Sequence, residues 1–198
     1  MKTLVFALGL LWAAVPAFSA PEVGKPAPDF TVKDATGQDR SLADFKGKTV
    51  VLEWFDDVCP FTQKHYRSGT MQRLQKAAVD DGVVWLTVNS SGVNKAGYLT
   101  PAEAVAKMKE LGMNSTALLL DVDGKVGHLY EARTTPEMYV IDGRGVLVYK
   151  GAIDNRPTPD PASLADATPY VKNALAAVKE GKSVTPAETK SYGCAVKY

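Results

Sequence analysis

The run Thr49-Val50-Val51-Leu52-Glu53-Trp54-Phe55, "TVVLEWF", is nearly continuous in apolar, β-favouring residues. Such a strand shows apolar side chains to both faces of a sheet, so both faces must be covered. The next segment, "DDVCPFTQKH", turns the chain directly into a helix. Pro60 suits the first helical position, where its missing N–H has no partner to lose. From Pro60 to about Asp80 only Gly69 interrupts the helical pattern. A doubly covered strand that feeds a helix commits the chain to a layered α/β architecture.

The alternation continues. "GVVWLTVNS" reads as a second buried strand, and "NSSGVNKAGYL" as a polar loop of a length that often borders a site. Thr100, Pro101 and Glu103 form a capping box with proline at the first helical position, and Gly112 stops that helix. "TALLLDVDG" is a third strand, "KVGHLYEA" a short helix, and "EMYVIDGRGVLVYKGAI" a hairpin turning near Gly143-Arg144-Gly145. Upstream, "DFTVKDATGQDRSL" reads as a hairpin with Thr36-Gly37 in its turn, followed by a helical turn in "LADFKGK". A Pro-rich connector, "DNRPTPDPAS", leads to a helix from about Pro169 to Glu180. The expected fold is a central mixed β-sheet flanked by helices on both faces. Trp54, Trp85, Tyr130 and Tyr139 are expected in its core. Asp121-Val122-Asp123-Gly124 reads as a strand–helix turn, because the spaced oxygen ligands of a calcium loop are missing.

A length of 198 residues fits one well-filled core. With 23 basic and 22 acidic residues, nothing points to nucleic acid or an anionic membrane surface as partner. Two histidines and two cysteines are too few for a usual zinc site, so no metal and no cofactor are expected. At the N-terminus a short basic start, the apolar stretch "LVFALGLLWAAV" and "PAFSA" read as a signal peptide over residues 1–19, cleaved after Ser19. The expected domain then spans residues 20–198, with a polar, turn-rich tail over 181–198 that carries Cys194. The expected location is exported, periplasmic or secreted, with no membrane contact beyond the signal peptide. Two thiols can persist as a disulfide there.

Cys59 stands where the strand becomes a helix. Backbone N–H groups and the helix dipole at such a terminus favour the thiolate. Thr62, one turn on, shares a face with Cys59, and its hydroxyl is expected to donate to the sulfur. Threonine would keep a thiolate-stabilising hydrogen bond without the ability to resolve a disulfide, so the resolving group must come from elsewhere. Asp56 and Asp57 are either solvated loop acids or, like Glu53, groups that tune the thiol or shuttle its proton. Cys59 itself has three readings: a redox thiol, a small buried hydrophobe, or half of a structural disulfide to Cys194. In the chain-entropy model such a disulfide contributes about 5 kcal/mol. His65 lies off the Cys59 face of the helix and reads as structural or exposed, and His128 as surface or packing.

Strand "VVLEWF", Cys-Pro-x-Thr at a helix start, and "LLLDVDGKVGHLYEARTTPEMYVIDGRGVLVYKGAID" together resemble the redoxin branch of the thioredoxin-like superfamily, over residues 22 to 180. That branch holds the alkyl hydroperoxide reductase and thiol-specific antioxidant proteins and periplasmic thiol–disulfide oxidoreductases. The resemblance implies a thioredoxin-like fold in which Thr135-Pro136 is the cis-proline motif beside the active-site cysteine. The backbone of that loop would pair with a bound substrate peptide or thiol. Trp54, Pro60, Thr135 and Pro136 are the substrate-binding candidates. Lys64-His65-Tyr66 and the C-terminal "YGCAVKY" are similar to a group of secreted redoxins with a lone "CPF" cysteine.

The chain departs from the family pattern at several positions. Thr62 stands where thioredoxins carry a second cysteine. Asp56 stands at the threonine position of the peroxiredoxin motif, and that motif's proline is missing. Pro136 stands where peroxiredoxins place an arginine, which leaves Arg133 as the residue that could approach the thiolate. Cys-x-x-Thr is also similar to the glutathione peroxidase arrangement. The resulting expectation is an exported oxidoreductase with Cys59 as nucleophile and Cys194, on a flexible tail, as resolving thiol. Its substrate would be a thiol or disulfide protein or a small-molecule peroxide, and an external thiol reductant would reset it. The alternative is a non-catalytic thioredoxin-like binding module stapled by Cys59 and Cys194.

Overall fold

Val51 and Leu52 are neighbours on one strand and bury into different cores. That strand, β3 (Val50–Trp54), is the middle of a five-stranded sheet in the computed structural model, which describes residues 20–198. The expected signal peptide lies outside the described residues. β4 (Val84–Asn89) runs parallel to β3, and β5 (Ala117–Leu120) runs parallel to β4 on the far side. On the other side β7 (Glu137–Ile141) is antiparallel to β3, and β8 (Leu147–Gly151) is antiparallel to β7. The sheet is therefore mixed, with β3 buried along its whole length as its apolar run requires.

Side chains alternate across the sheet. Val51 and Phe55 pack with Tyr66, Met71, Ala78, Ala104, Val171 and Ala174, from α1 (Pro60–Arg67), α2 (Thr70–Asp80), α3 (Pro101–Glu110) and α5 (Tyr170–Lys179). Val50, Leu52 and Trp54 pack on the opposite face with Phe30, Tyr130 and Val126 of α4 (Lys125–Leu129). Helices thus cover both faces. The N-terminal hairpin pairs β1 (Thr31–Lys33) with β2 (Asp39–Ser41). Buried Asp34 organises its turn, accepting from Thr36 N (2.8 Å), Gln38 N (3.1 Å) and Arg40 Nε (2.8 Å). The capping box of Thr100 and Glu103 opens α3 as expected.

Two features differ from the sequence reading. The helix expected from Pro60 to Asp80 is two helices, broken at Ser68-Gly69. Gly69 takes a left-handed φ of 71°, open to it for want of a Cβ, and the Ser68 hydroxyl bonds both His65 O (3.0 Å) and Thr70 Oγ1 (2.9 Å). The tail is also not loose. It runs beside β8, where Lys150 N–H donates to Ala187 O and Thr189 N–H donates to Lys150 O, each at 3.1 Å. It then returns across the sheet end, where β9 (Cys194–Ala195) pairs antiparallel with β6 (Thr134–Thr135).

Candidate active site

Cys59 is the N-cap of α1, set there by the loop leaving β3. Cys59 N–H donates to Asp56 O (3.2 Å), Val58 N–H donates to Asp56 Oδ1 (3.0 Å), and Cys59 O accepts the helical bond from Gln63 N (2.9 Å). The side chain is fully buried and donates from Sγ to Thr135 O at 3.0 Å. The Thr135–Pro136 peptide bond is cis, and Pro136 is buried. Cys194 sits opposite Thr135 in the β6–β9 register, on the residue whose carbonyl accepts from Cys59 Sγ, so the tail brings its thiol to Cys59. Both cysteines are free thiols, and Cys194 is partly exposed.

The two thiols are electrostatically unequal. Burial pushes Cys59 up, but the Cys194 thiol and the backbone N–H groups of Thr62 and Cys194 favour its thiolate, and the net direction is down. Burial and the hydrogen bond to Cys59 push Cys194 up to about 12, with Asp56 adding to the rise and Lys197 opposing it. The surroundings of the two sulfurs thus shift them in opposite directions, Cys59 toward the thiolate and Cys194 toward the thiol.

Several expected neighbours of Cys59 stand elsewhere. The Thr62 hydroxyl is buried without a hydrogen-bond partner, and the backbone N–H of Thr62 serves the sulfur instead, as at an N-cap. Arg133 does not approach the thiolate: its guanidinium is 79% exposed and lies 3.6 Å from Glu131, because the β6–β9 pairing uses the Arg133 carbonyl and turns the side chain outward. Glu53 is completely buried and accepts from Trp85 Nε1 (2.7 Å), Tyr66 OH (2.8 Å), Gln75 Nε2 (3.0 Å) and Thr87 Oγ1 (3.3 Å). Burial raises its pKa against these donors, and no hydrogen bond joins it to either thiol. Trp54 does not wall the groove: it is fully buried, packed on Tyr130 and Tyr139, and donates to Ser90 Oγ at 3.1 Å. Pro60 is exposed at the first position of α1, directly after Cys59.

Asp56 and Asp57 are not solvated loop acids. Asp56 is buried and ion-paired to Lys197 at 2.7 Å, and Asp57 pairs with Lys107 at 3.2 Å. The loop after β4, expected to border a site, lies against the tail: Asn89 Nδ2 donates to Gly97 O (2.9 Å) within it, and Gly92 N–H donates to Lys197 O (2.9 Å).

Sequence reasoning missed how the tail is held. Lys64 and His65, both buried, face Asp154 from the Pro-rich connector. The Tyr192 hydroxyl enters that cluster, donating to Asp154 Oδ1 and lying 3.2 Å from Lys64 Nζ and 3.4 Å from His65 Nε2. Burial pushes His65 down to about 4 even though Asp154 raises it. The available signal was the pairing of "KHY" with "YGCAVKY" in one chain, which marked both segments without showing that they touch. His128 is a packing residue for the tail and stacks on Tyr198 at 4.0 Å.

The sequence profile of the AhpC/TSA family matches residues 23–150. The chain is similar to the thiol:disulfide interchange protein DsbE of Pseudomonas aeruginosa, 28% identical over 77% of this chain and 79% of that protein. Among solved structures, a hypothetical protein from Sinorhizobium meliloti superposes with a TM-score of 0.78 at 25% identity, over 91% of this chain and 96% of that one. The exposed lipoprotein thioredoxin of Streptococcus pneumoniae superposes with a TM-score of 0.52 at 27% identity, over 69% of this chain and 96% of that one. The architecture is thioredoxin-like.

Proposed function

Since the chain belongs to the AhpC/TSA family, within the redoxin branch of the thioredoxin-like superfamily, we propose that it is an exported thiol–disulfide oxidoreductase with Cys59 as nucleophile and Cys194 as resolving thiol. The observation that carries this reading is that both cysteines meet at Thr135, Cys59 through its Sγ bond to the Thr135 carbonyl and Cys194 through the strand register, with their thiols shifted in opposite directions. The Cys59 thiolate attacks one sulfur of a substrate disulfide, forming a mixed disulfide and releasing the first substrate thiolate. That thiolate takes up, through solvent, the proton lost by Cys194. The Cys194 sulfur then attacks Cys59, the mixed disulfide breaks, and the second substrate thiolate leaves. The substrate disulfide has gained two electrons and the Cys59–Cys194 pair has lost them. An external dithiol restores the pair by the same exchange run on it.

A disulfide suits this site better than a peroxide. The threonine position of the peroxiredoxin motif holds the Asp56 carboxylate, and Arg133 is turned to Glu131. Neither a hydroxyl nor a guanidinium of that motif is at hand for a peroxide oxygen. A binding module stapled by the same two cysteines is less well supported. A staple has no use for one thiol tuned toward the thiolate and its partner tuned away from it. The domain in this reading is residues 20–198, released by removal of residues 1–19.

The test is the reduction potential of the Cys59–Cys194 couple, read by mass spectrometry of trapped thiols after equilibration in graded thiol buffers. A potential above roughly −250 mV marks a cycling pair, and one below roughly −300 mV marks a structural staple and ends the proposal. Cys194→Ser should accumulate a mixed disulfide on Cys59, and Cys59→Ser should form none.

A further inference from the structure

The groove beside Thr135 and Pro136 is already occupied, and the occupant is the chain's own C-terminus. β9 adds to β6 with Thr135 opposite Cys194 and Thr134 opposite Ala195. Beyond it, Val196 N–H donates to Arg133 O (3.1 Å), and the Gly92 N–H reaches Lys197 O (2.9 Å) from the other wall. Three side chains anchor the segment away from the sulfurs. Tyr192 enters the Lys64–His65–Asp154 cluster. Lys197 pairs with buried Asp56 at 2.7 Å. Tyr198 stacks on His128 and donates to Ala132 O at 2.7 Å, over a floor where a Cβ on Gly127 would stand 2.5 Å from its ring. Delivery of one resolving thiol needs a single contact. With the segment held at these points, Cys59 has no exposed surface.

We propose that the segment Tyr192–Tyr198 is an intramolecular competitor for a peptide groove, closing Cys59 to protein partners, and that its sequence states what the groove accepts. That partner is an extended segment with glycine before its cysteine and a cation three residues after it. Glycine is required because position 193 has a φ of 140° and a Cβ there would lie 2.0 Å from Thr135 O. The cation is required because the displaced tail would otherwise leave the Asp56 carboxylate buried and unpaired. Strand addition supplies the affinity through the backbone, and these two positions supply the selection.

The inference rests on Cys59 being the thiol that partners must reach, and its test reads access rather than turnover. In full-length Cys194→Ser protein, Cys59 is the single remaining cysteine. Its alkylation by iodoacetamide should be slow, and should rise by about tenfold or more when Lys197→Ala and Tyr198→Ala loosen the strap. A synthetic peptide of residues 191–198 carrying Cys194→Ser should restore protection to the loosened protein, and the same peptide carrying Gly193→Ala should not. Lys197→Ala alone carries the comparison if the combined variant does not fold. Alkylation of the unloosened protein at the rate of the loosened one, or equal protection by both peptides, overturns the proposal. If loosening exposes Cys59 but disulfides still fail to react with it, the oxidoreductase reading falls and the strap stands.

Discussion

The Tyr192 hydroxyl donates to the Asp154 carboxylate inside a buried cluster with Lys64 and His65. Tyr192 precedes Cys194 by two residues, so this bond fixes where the tail thiol lies. Tyr192→Phe removes the donor and leaves Asp154 with a buried lone pair unmet. Such a loss costs about 1–3 kcal/mol. The expected result is a lower urea midpoint at neutral pH with an unchanged m-value, and a smaller fraction of Cys59–Cys194 disulfide in any given thiol buffer.

The same cluster makes stability depend on pH. His65 is pushed down from 6.5 to about 4 by burial, with Lys64 adding to the fall and Asp154 opposing it. The unfolded chain therefore binds a proton that the folded chain refuses. The stability tied to this group is lost as pH falls from 6.5 toward about 4, and its contribution changes no further below that window. The loss attributable to this one group is about 3 kcal/mol. His65→Gln should flatten that part of the urea midpoint against pH. An unaltered slope in the variant would place the pH dependence on other groups.

Cys194 is the largest of the contacts that favour the Cys59 thiolate. Cys194→Ala removes that thiol and should raise the apparent pKa of Cys59, read from the pH dependence of thiolate absorbance in the ultraviolet. Cys194→Ser keeps a hydroxyl donor at the same place and should raise it less. Equal pKa values in the two variants would mean that the backbone N–H groups around Cys59 set the thiolate by themselves.

Glu53 is a structural acceptor, with Trp85, Tyr66, Gln75 and Thr87 all donating to it. Glu53→Leu strands these donors in the core. Each buried donor left unmet costs about 1–3 kcal/mol, so the variant should unfold at a much lower urea concentration. In the protein that remains folded, the apparent pKa of Cys59 should be unmoved. A shifted Cys59 pKa would instead restore Glu53 to the proton-transfer role read from the sequence.

The layered architecture was legible because it rests on local pattern. Doubly apolar strands, the capping box at Thr100 and Glu103, and Pro60 at a helix start are short-range signals, and each element formed where its signal lay. The break at Gly69 was signalled by the glycine itself, but whether a lone glycine bends or ends a helix depends on what its neighbours' side chains bond. Cys59 stood out as a thiol at a helix terminus for the same local reason. Arg133 and Thr62 were misplaced because their distance from Cys59 along the chain says nothing about which way a side chain leaves its strand or helix.

What the sequence determined by itself is the fold, the place of Cys59 at the start of α1, and the presence of one further cysteine. What only the tertiary structure decided is the meeting of Cys59 with Cys194 and the closing of the groove. That meeting depends on ion pairs and hydrogen bonds between segments far apart in the chain, Asp56 with Lys197 and Asp154 with Tyr192. Periodicity reports what a residue's near neighbours bury. It carries no information about which distant polar group a tail residue will find, so the path of residues 181–198 had to be seen in three dimensions.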